Sequence, residues 1–334
     1  MLVLEIDDIK ELIHKVGYSG FFSMLIDTLE EDYGNWETFD KCPRVANHVD
    51  GGVIELMPIS NDELYTFKYV NGHPKNPEQD KFTVMATGQL SATDTGEPLM
   101  FTEMTLLTAF RTAANSAMAA KHLAKKDSKI LTLIGTGAQS EFQYLAFSNV
   151  FDLEEIRYYD TDPKAMNKFE KNMKKYGIKL TRCKDSREAV KTADIITTCT
   201  ADKKYQTVLT KDMIEKDVYI NGIGGDCPGK TELEKELVES STVVCEFLEQ
   251  CKIEGEIQQL PEDYTCTELY EIIRGEKNIN VETHGTVVFD SVGFAIEDYS
   301  VLRLIYKLAQ ENRVGKGMHL IPQINDVKDL YSLL

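Results

Sequence analysis

From residue 129 onward, short apolar runs alternate with charged segments whose apolar positions recur at helical spacing. The runs predict strands at 130–134, 155–160, 179–183, 195–199, 218–223, 242–247 and 286–291. Between them, 163–176, which opens on Pro163 after Asp162, and 231–239 read as helices. Strands this continuously apolar, separated by amphipathic helices, predict a parallel sheet covered on both faces, a doubly wound α/β domain. The first part of the chain reads differently. Runs at 53–57, 64–70 and 82–90, a Gly96-Glu97-Pro98 turn and a further run at 99–101 predict strands joined by turns. An alanine-rich helix over 105–124 is expected to lead into the doubly wound part. A helix over 295–310, striped by Val301, Leu302, Leu304, Ile305 and Leu308, is expected to pack back on the first part. There is no internal repeat and no low-complexity segment.

The run at 130–134 ends in two glycines one residue apart, within KILTLIGTGAQS. Gly135 would turn the chain sharply off a buried strand, and Gly137 would let a pyrophosphate approach the backbone, facing the free N–H groups of the next helix. Ser140 stands where the usual fingerprint has its third glycine, so context carries the assignment. The context is Asp160, which ends the next run about 25 residues on, where a carboxylate accepts hydrogen bonds from a ribose 2′-hydroxyl. It would repel a 2′-phosphate, so NAD is expected over NADP. The structural alternative is a loop glycine pair with a solvated strand-end Asp.

Composition narrows the class. A chain of 334 residues has room for about two domains, and 42% hydrophobic residues make it globular. No stretch is long and apolar enough for a membrane span, and the acidic start MLVLEIDDIKEL has neither the basic nor the apolar region of a secretory signal, so a cytoplasmic protein without a membrane partner is expected. The seven cysteines lack paired spacing, which points to neither a disulfide framework nor a metal site. A net charge of −18 opposes nucleic acid binding and favours the approach of a cationic substrate.

Polar residues in or beside apolar runs are the candidates for chemistry. Arg44, His48, Glu55, Lys68, His73, Thr83 and Arg111 lie so in the first part. Arg44, Lys68 and Arg111 suit the grip of a carboxylate, with a surface cation as the alternative for each. Lys68 stands out because it interrupts the strand pattern YTFKYV, and Thr83 could add a hydroxyl. A second concentration is INGIGGDCPGKTEL, where a strand runs into a glycine-rich turn bearing Asp226. Carboxyl ends of parallel strands face the ligand crevice, so Asp226 is either a proton-transfer group with a raised pKa or a turn cap. Cys227 beside it has no His nearby in sequence.

Together, RVANH, GGVIELMP, FKYVNGHP, TVMATG, RTAANSAMAAKHLA, LIGTGAQSEFQ, YYDTDP, DIITTCTADK, GGDCPGKTEL, EGEIQQLP and VFDSVGFAIEDY resemble the ornithine cyclodeaminase and mu-crystallin family over nearly the whole chain. VNGHP, GDCPGKTEL and EGEIQQLP are similar to its cyclodeaminase branch. The resemblance implies a homodimer, with a substrate-binding and dimerisation domain at 1–115, a Rossmann-like NAD-binding domain at 116–292 and a returning helical segment at 293–334. It implies that Arg44, Lys68, Thr83 and Arg111 hold the substrate carboxylate, and that Glu55 and Asp226 act near the reacting amines, Asp226 as the principal proton-transfer group. Gly135, Thr136, Gly137, Ala138, Gln139, Asp160, Thr161, Thr200, Lys230 and Ser291 would bind NAD, and no metal is implied. Residues from about Arg313 resemble the family only loosely.

The chemistry so implied takes hydride from Cα of L-ornithine to NAD⁺, closes a ring by attack of the δ-amine, expels ammonia and returns the hydride to give L-proline. Three alternatives stay open: an NAD-dependent L-amino acid dehydrogenase or imine reductase, a cyclodeaminase of another diamino acid such as lysine, and a noncatalytic crystallin-like nucleotide binder. One methylene changes binding by only about 1–3 kcal/mol, which leaves ornithine against lysine open by inspection. Joint presence of Lys68, Arg111 and Asp226 argues against the binder, since NAD needs none of them.

Overall fold

The computed structural model describes residues 1–200, 207–225 and 227–334. Two eight-stranded sheets organise it. The second is wholly parallel, in the order Lys179–Arg182, Glu155–Tyr159, Ile130–Ile134, Ile195–Thr198, Tyr219–Gly222, Val287–Asp290, Thr242–Cys245 and Thr267–Glu268. The strand order reverses between Ile130–Ile134 and Ile195–Thr198, which opens a crevice at their carboxyl ends. The doubly wound α/β expectation holds. Its seven expected strands are present, and Thr267–Glu268 joins them as an eighth too short to show an apolar run.

The first sheet is mixed. Lys316–Gly317, Leu2–Leu4, Pro98–Glu103, Val84–Ala92, Leu64–Gly72, Gly52–Ser60 and Asp40–Lys41 follow in order, and Val45–Val49 also pairs with Gly52–Ser60. Only Leu2–Leu4 with Pro98–Glu103 is parallel. Strand alternation buries Met57, Ile59, Thr66, Lys68, Val70 and Leu90, while Val45, Leu56, Tyr65 and Tyr69 are exposed.

Helices fill the space between the sheets. Ile6–Val16 places Ile9, Leu12 and Ile13 inward and is followed, across Gly17, by Tyr18–Gly34. Neither helix was expected. The alanines of Thr105–Leu123, with Ala113, Ala114, Ala117 and Ala120 fully buried, let neighbouring helices approach closely. Phe110 of this helix meets Phe21 and Phe142 edge-on, each at 5.1 Å, tying Tyr18–Gly34 to Ser140–Phe147. Ala295–Asn312 packs back on Tyr18–Gly34 and on the strand Leu64–Gly72, as its stripe predicted.

One expected helix is corrected. Only Lys235–Glu239 of 231–239 is helical. Leu233 bridges Leu209, and the Val208 N–H donates to the Glu232 carbonyl (2.8 Å), so strand-like pairing overrides the local helical spacing. Pro163–Met173 forms as expected, capped by the Asp162 side chain accepting from the Lys164 N–H, and a 3₁₀ turn completes it to Tyr176. Among the described residues, no helix is long and apolar enough to cross a membrane.

Candidate active site

Three cations converge where the inner face of the first sheet meets the carboxyl edge of the second. Lys68 lies mid-strand in Leu64–Gly72, on the buried side shared with Thr66 and Val70. Its Nζ donates to Asp298 at 2.9 Å. Arg111, on the helix Thr105–Leu123, donates through Nη1 to Glu297 and is ion-paired through Nε with Asp298 at 3.0 Å. Arg44, just before the strand Val45–Val49, pairs through Nε with Glu254 at 3.0 Å and through Nη1 with Glu55 at 3.3 Å. Its Nη2 donates to the Val292 and Gly293 carbonyls, each at 2.6 Å. All these side chains are nearly buried. Burial, with help from the Arg111 charge, lowers the Lys68 ammonium to about 8 despite Asp298.

A further carboxylate holds the loop that carries those carbonyls. Glu246 follows the strand Thr242–Cys245 and accepts from the Val292 N–H (3.0 Å), the Gly293 N–H (2.8 Å), Asn115 Nδ2 (2.7 Å) and the Ser291 hydroxyl. Burial and the nearby Glu297 charge push its pKa well above the usual carboxylate range. Gly293 has φ +80°, and a Cβ there would lie 2.6 Å from Arg111 Nη1. Only glycine lets the guanidinium pass.

The glycine loop lies at the crevice. Gly135 has φ +102°, and a Cβ on it would meet the Cys199 carbonyl at 2.7 Å, whereas Gly137 faces open space. The Asp160 carboxylate accepts from the Thr136 N–H (2.6 Å), the Thr136 hydroxyl (3.1 Å) and the Asp162 N–H (2.9 Å), which fastens the loop to the neighbouring strand. Thr161 beside it is exposed. The buried Gln139 Oε1 has no hydrogen-bond partner among the described residues, an orphan that a ligand hydroxyl would satisfy. An exposed glycine backbone, a strand-end carboxylate and an orphaned amide together fit a dinucleotide.

Across the crevice, Lys230 is buried and its Nζ donates to the Thr200 carbonyl at 3.1 Å, while the Thr200 N–H donates to Glu232 at 2.9 Å. The segment EGEIQQ shapes this turn. Glu256 accepts from the Glu232 and Leu233 N–H groups at 2.8 and 3.0 Å. Gln258 accepts from the Gly229 N–H at 2.7 Å and donates to the Lys230 carbonyl at 3.0 Å. Asp290, raised to about 7 by burial, accepts from the Glu256 and Ile257 N–H groups at 2.8 and 3.1 Å. Asp226 lies outside the described residues.

Of the sequence candidates, the structure brings Arg44, Glu55, Lys68 and Arg111 into one cluster. Thr83 makes no side-chain hydrogen bond to the cluster among the described residues; its carbonyl accepts from the His73 N–H at 2.8 Å near the hairpin end. His73 exchanges a hydrogen bond with Asn71 at 2.8 Å, and His48 is exposed on Val45–Val49. Sequence reasoning missed Glu246, Glu254, Glu297 and Asp298. The usable signal was adjacent carboxylates, Glu297 and Asp298, between the apolar residues of GFAIEDYSVL.

Comparison with known proteins decides the family, because the model of the ornithine cyclodeaminase/mu-crystallin family matches residues 7–313. The chain belongs to that family. It is 46% identical over 331 residues to an ornithine cyclodeaminase of Agrobacterium fabrum, covering 99% of this chain and 94% of the relative. A solved lysine cyclodeaminase, studied for recognition of L-lysine, L-ornithine and L-2,4-diaminobutyric acid, superposes with a TM-score of 0.91 at 31% identity, covering 100% of this chain and 99% of that one. An archaeal alanine dehydrogenase dimer with bound NAD gives 0.87 at 31% identity, covering 96% and 99%.

Proposed function

We propose that this family member is an ornithine cyclodeaminase, converting L-ornithine to L-proline and ammonia with NAD as a cofactor restored in each turnover. One observation carries the choice of a diamino acid as substrate. Among the described residues, four ion-paired carboxylates, Glu55, Glu254, Glu297 and Asp298, surround three cations in the buried cluster. That acidic surplus complements a substrate with two ammonium groups and one carboxylate, and leaves a monoamino acid one charge short. The cyclodeaminase relative at 46% identity supports the same reading.

The contacts of Arg44 indicate where the substrate carboxylate enters. Its contacts to Glu55, at 3.3 and 3.4 Å, are longer than those to Glu254 and to the two carbonyls. Exchange of Glu55 for the substrate carboxylate therefore costs least, and frees Glu55 to accept an ammonium of the same molecule. Lys68 and Arg111 supply the remaining donors, held in place by Asp298 and Glu297. Gly135, Thr136, Gly137, Ala138, Gln139, Asp160, Thr161, Thr200, Lys230 and Ser291 would hold NAD. When bound, NAD supplies a reversible hydride acceptor that makes the substrate Cα electrophilic and afterwards reduces the ring. Asp226 takes the ammonium proton that must leave before the amine attacks, and Glu55 orients that amine.

The same reading includes a homodimer formed through the outward face of the first sheet, where Val45 and Leu56 are 59% and 44% exposed beside Tyr65 and Tyr69. Residues 1–115 with 293–334 would form the substrate and dimerisation domain around an NAD domain at 116–292, in a cytoplasmic protein. The test is incubation of the purified protein with a trace of NAD⁺ and L-ornithine. Proline and ammonia in equal amounts, without lasting NADH absorbance, are expected. Stoichiometric NADH accumulation with L-alanine would instead establish a dehydrogenase, and preference for L-lysine would move the substrate by one methylene.

A further inference from the structure

A cavity of about 410 Å³ lies between the helices Ile6–Val16, Ser140–Phe147 and Pro163–Met173. It shares no residue with the cation cluster and touches the glycine loop only at Ala138. Its size falls within the range of small-molecule pockets, roughly 300–1,000 Å³. Ile13, Phe142, Leu145 and Tyr176 give it apolar walls, while Lys10, Lys168 and Lys175 stand around it. In a chain of net charge −18 this is a local reversal of sign. Lys10 pairs with the exposed Asp7, and Lys168 with Glu141, each at 2.8 Å. Lys175 lies 5.0 Å over the Tyr176 ring and has no carboxylate partner among the described residues.

The wall of this cavity is wired to the cofactor loop. Lys168 Nζ donates to the Gly137 carbonyl at 2.8 Å as well as to Glu141. The Ser140 hydroxyl lies near the same two acceptors, at 3.0 and 2.9 Å, and Asn172 donates to Glu141 at 2.8 Å. An anion drawn to Lys168 competes with both Glu141 and the Gly137 carbonyl, so occupancy of the cavity is felt at the turn that would face a pyrophosphate. We infer that the cavity is a second small-molecule site, taking a monocarboxylate with an aryl or branched-alkyl body, and that its occupancy changes dinucleotide affinity through Lys168. The second half rests on the glycine loop being the NAD cradle.

Calorimetric titration of the full chain with 3-phenylpropionate tests the site directly, with 3-phenylpropionamide as the uncharged control. Saturable binding at one site per chain is expected, weakened at least about tenfold for the amide and by Lys168→Gln. Leu145→Trp, which fills the cavity, should abolish it while NAD still binds. Lys168 is half-exposed, so its variant reports on charge even where the tryptophan perturbs folding. With the cavity saturated, the NAD dissociation constant should shift by about fivefold or more, and NAD should shift probe affinity by the same factor. Absence of saturable probe binding, equal binding of the amide, or full binding by Leu145→Trp overturns the site. Probe binding with unchanged NAD affinity overturns the coupling. Failure of NAD to bind at all removes the cradle reading, and the probe titration still decides the site.

Discussion

Replacing Asp298 with Asn keeps the shape of the side chain and removes the charge that Lys68 and Arg111 share. Asp298 is fully buried, Lys68 is 1% exposed, and no other carboxylate pairs with Lys68 among the described residues. Arg111 retains Glu297. Breaking a buried ion pair on one side costs about 3–5 kcal/mol. At roughly 2 °C per kcal/mol for a chain of this size, the melting temperature should fall by about 6–10 °C. The loss carries a pH signature. Lys68 titrates near 8 in the folded protein, below its unfolded value, so the unfolded chain binds more protons between the two. Stability from this group therefore rises with pH through that window. Without Asp298 the folded pKa drops further, the lysine becomes neutral at lower pH, and the window widens downward. Urea unfolding of both proteins across pH 6.5 to 9 is the assay, with buffers chosen as about one-unit steps. The deficit should shrink as pH rises towards about 8 and level off above it, and Lys68→Met combined with Asp298→Asn should recover part of it. A deficit below about 1 kcal/mol, or one indifferent to pH, refutes the reasoning.

Three further outcomes are expected. Gly293→Ala, whose Cβ would crowd Arg111 and sit at φ +80°, should raise the KM for ornithine at least about tenfold while calorimetry finds NAD affinity unchanged. Asp160→Ala should weaken NAD and narrow the preference over NADP, because it removes both the carboxylate and the fastening of the Thr136 N–H; cofactor titrations read this. Asp226→Asn should leave NAD affinity near that of the parent and lower proline formation by about 10² or more, read by single-turnover product analysis.

The parallel sheet was legible because its central strands, Ile130–Ile134, Ile195–Thr198, Tyr219–Gly222 and Val287–Asp290, are buried on both faces and so read as largely apolar runs. Thr267–Glu268 was not, since two residues cannot make such a run. The segment TELEKELVE misled in the opposite direction. Its charge spacing is helical, yet Glu256 draws the Glu232 and Leu233 N–H groups away from a helix. Ile9, Leu12, Ile13 and Val16 carried a usable helical period that went unread. At the site, Lys68 was visible because it breaks a strand pattern. Its counter-ion was not, because Asp298 lies 230 residues away on a helix whose acidic positions look solvated in isolation. Convergence of distant segments is a property of packing, and no local window contains it.

The helix Ala295–Asn312 has a consequence for the order in which this chain is made. A ribosome delivers Lys68 and Arg111 long before it delivers Asp298 and Glu297, which lie 230 and 186 residues further along the chain. Until those acids emerge, the two cations lack the counter-charges that pair with them among the described residues, so the nascent sheet must keep its inner side hydrated. Completion of the amino-acid pocket thus waits for that helix, and a message cut short before it yields a polypeptide that cannot close around its substrate.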